Sequence, residues 1–165
     1  MGNFNIIRII AISLIFAFIS CGKNLDITLE KEYEGVDVEL WSYFEKFEIE
    51  ASKRDLNVDL VASGITGTIE KIHTYGMVGM CNHRMDKPNH VIIDIDFWQT
   101  ASNNTKEMIV FHELGHCYLT RGHKDERKNN GTCASIMRSG KAACMDFYTS
   151  DNRKEYLDEL FDMEG

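Results

Sequence analysis

Two histidines four residues apart, His112 and His116, are the feature that most constrains the fold of this chain. They lie in the apolar-rich segment 106–119, which predicts an α-helix. Residues i and i+4 of a helix are about 40° apart around its axis, so both imidazoles can hold one metal ion. Glu113 then lies beside this ion without binding it. The spacing therefore predicts a helix with a metal site on one face.

The position of Glu113 indicates the chemistry of such a site. Catalytic zinc takes three protein ligands and leaves one position for water, whose pKa it lowers to about 7. A carboxylate beside the metal can accept a proton from this water. The pattern therefore predicts a zinc-dependent hydrolase with Glu113 as its general base. The alternative is a non-catalytic protein with a structural or degenerate metal site, in which Glu113 would have no use and a protein ligand would fill the fourth position.

The third ligand has to come from outside this motif, and His123 is the leading candidate. It follows Gly122, where the chain can turn and bring the imidazole back toward the other two. Asp125 is an alternative ligand, and so are Glu155 and Glu159 on a predicted C-terminal helix. The sequence does not exclude any of these three carboxylates as the third ligand.

The motif resembles the metzincin branch of the zincin metallopeptidases, whose pattern is HExxHxxGxxH followed by a Met-turn. The match is carried by His112, Glu113 and His116, with Met137 of Ser-Ile-Met corresponding to the Met-turn residue. The family pattern has its third histidine one residue earlier, so a one-residue extension reaches His123. The resemblance implies Zn²⁺ as the cofactor, hydrolysis of peptide bonds as the activity, and a peptide or protein as the substrate.

The resemblance extends over roughly residues 76–148 and includes the order of the elements. A glycine-containing edge strand comes first, then an antiparallel partner, the ligand helix and the Met-turn. By analogy, the sheet edge near residues 77–81 would bind the substrate as an added strand. Tyr148, after the Met-turn, is a candidate donor to the oxyanion, with a core tyrosine as the alternative. A hydrolase of non-peptide amides needs the same zinc and base, so it stays a second alternative.

The N-terminal residues predict export and attachment to a lipid. Arg8 precedes an apolar run, residues 9–19, which is too short to span a bilayer but is typical of a signal peptide. The run leads to Ser20-Cys21, which resembles a bacterial lipobox and makes Cys21 the predicted lipidation site. Through this lipobox and the run His-Glu-Leu-Gly-His-Cys at residues 112–117, the chain is also similar to small bacterial lipoproteins classed as zinc metallopeptidases. An ordinary signal peptide with a chance cysteine is the alternative.

The rest of the chain has the size and composition of one acidic domain. We expect residues 1–20 to be the signal peptide, residues 21–34 a polar tether and residues 35–165 the metallopeptidase-like domain. The predicted location is the bacterial cell envelope, with the protein held to a membrane by its lipid. The net charge of -8 disfavours nucleic acid as a partner. No feature of the sequence indicates an oligomeric state.

Four of the five cysteines lie outside the predicted lipobox, an even number that suits a compartment where disulfides persist. Cys133 and Cys144 flank the predicted Met-turn, and we predict that they are joined. Cys117 follows a ligand directly and can pair with Cys81 or with either of the others.

Hydrophobic periodicity predicts an α+β fold, with a small, mostly antiparallel or mixed sheet packed against the ligand helix. An N-terminal helix and a C-terminal helix complete the prediction. We expect Asn104 to cap the ligand helix, with Glu107 reaching back in a capping box, and Gly122 to end it. The predicted helices cover about residues 36–53, 104–121 and 150–163, and the predicted strands lie within residues 58–72, 76–81 and 91–98.

Overall fold

The computed structural model describes residues 31–140 and 145–163. The predicted signal peptide, Cys21 and most of the predicted tether lie outside the described residues, and so does Cys144. Within the described ranges, no helix is long and apolar enough to cross a membrane.

The described part of the chain has an α+β fold, which confirms the predicted class. Three strands form one sheet, with two helices before the strands and three helices after them. In chain order the elements are α1 (Val38–Ser52), α2 (Leu60–Ser63), β1 (Thr66–Glu70), β2 (Gly79–Asn82), β3 (His90–Asp94), α3 (Ile95–Thr100), α4 (Asn103–Cys117), a 3₁₀ turn (Met145–Phe147) and α5 (Arg153–Leu160).

The sheet is mixed, with β3 at its centre. β1 pairs with β3 in parallel and β2 pairs with β3 in antiparallel, so the strand order is β1-β3-β2. All five residues of β3 are buried, as expected of a central strand covered on both faces. Within the described chain, the second edge of β2 carries no paired strand.

The predicted strand 91–98 is only half right, because β3 ends at Asp94. The Asp94 carboxylate accepts hydrogen bonds from the backbone N–H groups of Asp96 and Phe97, both at 3.1 Å. These bonds cap a new helix, α3, whose first residue is Ile95. The alternation of apolar residues continues through the junction, which explains why a single strand was predicted.

The start of α4 also differs from the prediction. Ser102, not Asn104, is the N-cap, and its hydroxyl accepts from the N–H of Thr105 at 3.2 Å. Glu107 does not reach back to the cap. Its carboxylate is buried and accepts hydrogen bonds from the Tyr148 hydroxyl and the Arg153 guanidinium, so it holds the C-terminal segment against α4.

Residues 58–72 contain one strand, as predicted, and a short helix that was not predicted. α2 ends at Gly64, whose φ of +67° is the left-handed conformation that glycine favours. β1 then passes close to α1: a Cβ added at Gly67 would lie 3.2 Å from Leu40 Cδ1 and 3.3 Å from Phe44 Cζ. The two elements pack this closely because residue 67 has no side chain.

The domain begins earlier than residue 35, so the tether prediction extends too far. Tyr33 is 2 % exposed, and its ring packs edge-on against Trp41 and Phe44. Its hydroxyl donates a hydrogen bond to Glu48 Oε2 at 2.9 Å. A residue that buries an aromatic ring in the core belongs to the folded domain.

One disulfide joins the sheet to the ligand helix. Cys81 in β2 is bonded to Cys117 at the end of α4, across a sequence separation of 36 residues. The loop-entropy model gives such a bridge about 4 kcal/mol of stabilisation. Cys133 is disulfide-bonded as well. Cys144 lies outside the described residues, so its pairing with Cys133 stays a prediction.

Candidate metal centre

Three histidines converge at the C-terminal half of α4. The Nε2 atom of His116 lies 3.1 Å from Nε2 of His112 and 3.2 Å from Nε2 of His123. Each of the three histidines offers one ring nitrogen, and these three nitrogens all lie within 4.8 Å of one another. In the part of the chain that the structure describes, this is the only His, Cys, Asp and Glu group of that kind.

The chain brings His123 back to the helix by a turn at Thr120, not at Gly122. α4 ends at Cys117, and Thr120 adopts the left-handed conformation with a φ of 55°. Gly122 has no positive φ, so the predicted reason for the turn was wrong although His123 lies beside the other two histidines. The returning segment is fixed where the N–H of Lys124 donates to Met137 O at 2.9 Å.

Backbone carbonyls orient two of the three imidazoles. His112 Nδ1 lies 2.6 Å from Ile136 O, and His116 Nδ1 lies 2.6 Å from Arg121 O. A carbonyl oxygen only accepts, so in both rings Nδ1 carries the hydrogen and Nε2 keeps its lone pair. This is the arrangement by which proteins orient metal-binding histidines.

The pKa values favour the neutral rings that a metal requires. Burial lowers the pKa of His112 to about 4, and burial also lowers the pKa of His116. Two unprotonated Nε2 atoms 3.1 Å apart repel each other unless a cation lies between them. Three neutral imidazole nitrogens are a donor set suited to zinc. The residues of this cluster therefore fit the metal that the motif implies.

The alternative third ligands do not join the cluster. Asp125, Glu155 and Glu159 were left open by the sequence. Each of these carboxylates contacts other side chains: Asp125 accepts from Ser139 Oγ at 2.7 Å, Glu155 pairs with Lys128 at 2.8 Å, and Glu159 pairs with Arg121 at 2.7 Å.

Glu113 is buried beside the histidines and packs against the sheet. Its side chain is held against β2 at Gly79, where an added Cβ would lie 2.6 Å from Glu113 Oε1. The residue is 4 % exposed, and burial raises the pKa of its carboxyl to about 8, although a hydrogen bond with the Cys81 backbone opposes this rise. No cation of the described residues forms an ion pair with it. A carboxyl with these properties is a candidate general acid or base.

Met137 lies under the ligand helix. It is fully buried, and its Sδ would be 2.5 Å from a Cβ added at Gly115, the glycine between the two helix histidines. The turn is braced by the N–H of Met137, which donates to Ser135 Oγ at 2.9 Å. The carbonyl that orients His112 belongs to the same turn. Residues 135–137 thus pack against the part of α4 that carries His112 and His116.

Replacing Gly115 by Ala should therefore destabilise the fold by about 1 to 3 kcal/mol, because the methyl group must displace the Met137 sulfur. Gly122→Ala is the matched control, since nothing lies within 4 Å of its added Cβ. Urea denaturation of both variants measures the difference. Equal stability of the two variants would contradict this account of Gly115.

Tyr148 is not placed to act as the oxyanion donor. It is 3 % exposed, and its hydroxyl donates to Glu107 Oε1 at 2.6 Å. It does not line the cleft that contains the histidines. The structure thus gives this residue the alternative role, that of a core tyrosine with a satisfied hydroxyl.

A cleft of about 710 Å³ contains the three histidines and Glu113 in its lining. The lining also includes the edge of the sheet and the segment that precedes it, residues 74–81, and residues 136, 138, 140 and 145. Most of the other lining side chains are apolar: Met77, Val78, Met80, Met108, Ile109, Ile136 and Met145.

Three residues of this site were not predicted from the sequence. Two of them are glycines: Gly79 packs closely against Glu113, and Gly115 packs closely against Met137. A glycine within a predicted strand was the available signal for the first, because such glycines mark close approaches. Arg138 on the wall of the cleft was also overlooked, and its position directly after Met137 was the available signal.

Comparisons of the chain with protein-family models, with curated proteins and with solved structures give no match.

Proposed function

We propose that this protein is a zinc-dependent peptidase in which His112, His116 and His123 hold the ion and Glu113 is the general base. The observation that supports the proposal is the convergence of three imidazole Nε2 atoms in the cleft that also contains a buried carboxyl. When bound there, zinc would supply a Lewis acid that activates water and polarises a carbonyl.

Glu113 is suited to move the proton that hydrolysis requires. Its raised pKa, a result of burial, makes its carboxylate a stronger base than an exposed one. The contact with Gly79 fixes the side chain between β2 and the histidines. After accepting a proton from the attacking water, the carboxyl group passes it to the leaving amine, which departs as a neutral product.

The unpaired edge of β2 favours a peptide over a small non-peptide amide. The strand borders the cleft through Gly79, Met80 and Cys81, and its described partner, β3, occupies only one side. An extended peptide can form main-chain hydrogen bonds with such an edge, while apolar side chains of the cleft cover its own side chains. The scissile bond would then lie over the histidines.

The proposal is tested by metal analysis of the purified protein together with cleavage of a peptide library. We expect one equivalent of zinc per chain and cleavage that a chelator abolishes. The Glu113→Gln variant controls for contaminating proteases, because it should retain zinc without cleaving. A protein that binds no zinc, or a library left intact by the zinc-loaded protein, would contradict the proposal.

We also propose that the protein is a lipoprotein of the bacterial cell envelope, anchored through Cys21. The disulfide between Cys81 and Cys117 supports export, because disulfides persist in oxidising compartments.

Replacing Cys21 by Ala should therefore remove the lipid and move the protein from the membrane fraction to the soluble fraction, because the predicted acceptor thiol is lost. Metabolic labelling with a fatty acid and fractionation of cells measure both effects. A labelled Cys21→Ala protein would contradict the anchor.

A further inference from the structure

Arg138 lies on the wall of the cleft with hydrogen-bonding capacity left over. Its Nη1 donates to Asp125 O at 2.7 Å, which is its only hydrogen bond to the described residues. The Nε atom is buried and has no hydrogen-bond partner there. No carboxylate of the described residues lies within ion-pair distance of the guanidinium. The Asp125 carboxylate interacts electrostatically with the guanidinium, but it is hydrogen-bonded to Ser139 and forms no ion pair with Arg138. The guanidinium is therefore suited to bind a further carboxylate.

The backbone holds Arg138 close to the metal centre. Arg138 follows the turn whose Ile136 carbonyl orients His112. Its guanidinium crosses to Asp125, two residues after His123, while Ser139 binds the Asp125 carboxylate through its N–H and its hydroxyl, both at 2.7 Å. These contacts clamp the two segments together and fix the arginine on the His123 side of the cleft.

The surroundings make Arg138 distinctive. Among the described residues that line the cleft, it is the only one with a permanent positive charge, and Glu113 is the only carboxylate. A guanidinium in an apolar setting binds a carboxylate strongly, since its planar fork matches both oxygens.

We propose that Arg138 binds a carboxylate of the substrate, so that this protein selects peptides with an anionic group near the scissile bond. The inference rests on the proposed peptidase function and names the substrate class for it. The carboxylate can be the C-terminus of a short peptide or the side chain of an internal Asp or Glu. Both offer the same two oxygens to the guanidinium.

Binding measurements on the zinc-loaded Glu113→Gln protein test this without turnover. The probes are four fluorescent peptides on one apolar hexapeptide scaffold, with a C-terminal carboxylate or amide and with Glu or Gln at the centre. We expect at least one carboxylate to tighten binding about 10- to 100-fold over its neutral counterpart. An effect of the terminal group identifies a carboxypeptidase-like preference, and an effect of the central residue identifies a preference for acidic side chains.

Arg138→Gln should abolish the difference in affinity between each charged peptide and its neutral counterpart. Arg84→Gln is the matched control, because Arg84 is exposed and does not line the cleft. If Arg138→Gln does not fold, Arg138→Lys tests the proposal instead. Lysine keeps the positive charge but lacks the planar guanidinium that binds both carboxylate oxygens, so the preference for the charged peptide should weaken by about 3- to 10-fold. Equal affinity for charged and neutral peptides, or a preference that survives the replacement of Arg138, would overturn the proposal.

The two proposals fail in different ways. Carboxylate binding through Arg138 without any cleavage by the parent protein would contradict the peptidase function alone. Cleavage of neutral and acidic peptides at equal rates, with equal affinities, would contradict the role of Arg138 alone.

Discussion

Replacing Glu113 by Gln is expected to lower the rate of peptide hydrolysis by about 100-fold or more, the magnitude typical of removing a general base. Zinc content and fold should stay unchanged, because Gln has nearly the same shape and Glu113 is not one of the converging ligands. The amide cannot accept the proton of the attacking water, so the loss should appear in kcat. Turnover of a library-derived peptide, zinc analysis and circular dichroism measure the three properties.

Glu107→Gln is the matched control for this variant. Glu107 is a second buried glutamate of α4, but it binds Tyr148 and Arg153 and does not line the cleft. Its replacement should reduce the stability of the protein and leave the turnover of the folded fraction nearly unchanged. If Glu113→Gln turned over substrate as fast as the parent, Glu113 would not be the base.

Replacing His123 by Ala is expected to weaken zinc binding by more than the 10- to 100-fold that loss of an outer hydrogen-bond partner costs, because a direct ligand is removed. Titration against a chromophoric chelator measures the affinity. The imidazole of His123 lies 3.2 Å from that of His116, so its loss leaves two nitrogens on the helix alone.

Asp125→Ala and Glu155→Ala are the controls for His123. Asp125 accepts hydrogen bonds from Ser139 near the returning segment, so its loss should weaken zinc binding modestly, by less than about 10-fold. Glu155 pairs with Lys128 on the surface, and its loss should have no measurable effect on zinc. Tight binding by the His123 variant, together with weak binding by a carboxylate variant, would assign the third ligand to that carboxylate.

Local rules explain which parts of the fold and site could be predicted. The spacing of His112 and His116 needs only the pitch of a helix to bring the two rings together. Apolar periodicity likewise predicts helices at α1 and α5, and Tyr156 and Leu157 of α5 are buried. His123 was predicted from its position after an expected turn at Gly122, and it lies beside the other two histidines although the left-handed residue is Thr120.

The errors arose where two local signals compete. The apolar alternation continues past Asp94, but the Asp94 carboxylate captures two N–H groups and starts a helix. Gly122 looked like the end of α4, yet Thr120 takes the left-handed conformation instead. In both cases hydrogen bonds and packing outweigh the preference of the single residue.

Other features depend on contacts between distant parts of the chain, which no short-range pattern encodes. Tyr33 is buried because its hydroxyl donates to Glu48 and its ring packs against Phe44 of α1, although its own segment is polar. The role of Gly79 depends on Glu113, which lies 34 positions later in the sequence. Such pairs become visible only when the elements are assembled.

The bridge between Cys81 and Cys117 makes one corner of the cleft a single rigid body. The strand that packs on Glu113 and the helix that carries two of the histidines cannot separate there, so no hinge opens between them. Glu113 and the rings of His112 and His116 are therefore ordered before a ligand binds. Binding then loses little conformational entropy on that side of the cleft. Adjustment to the shape of a bound molecule then falls to lining residues outside this corner, such as Met77 and Met145.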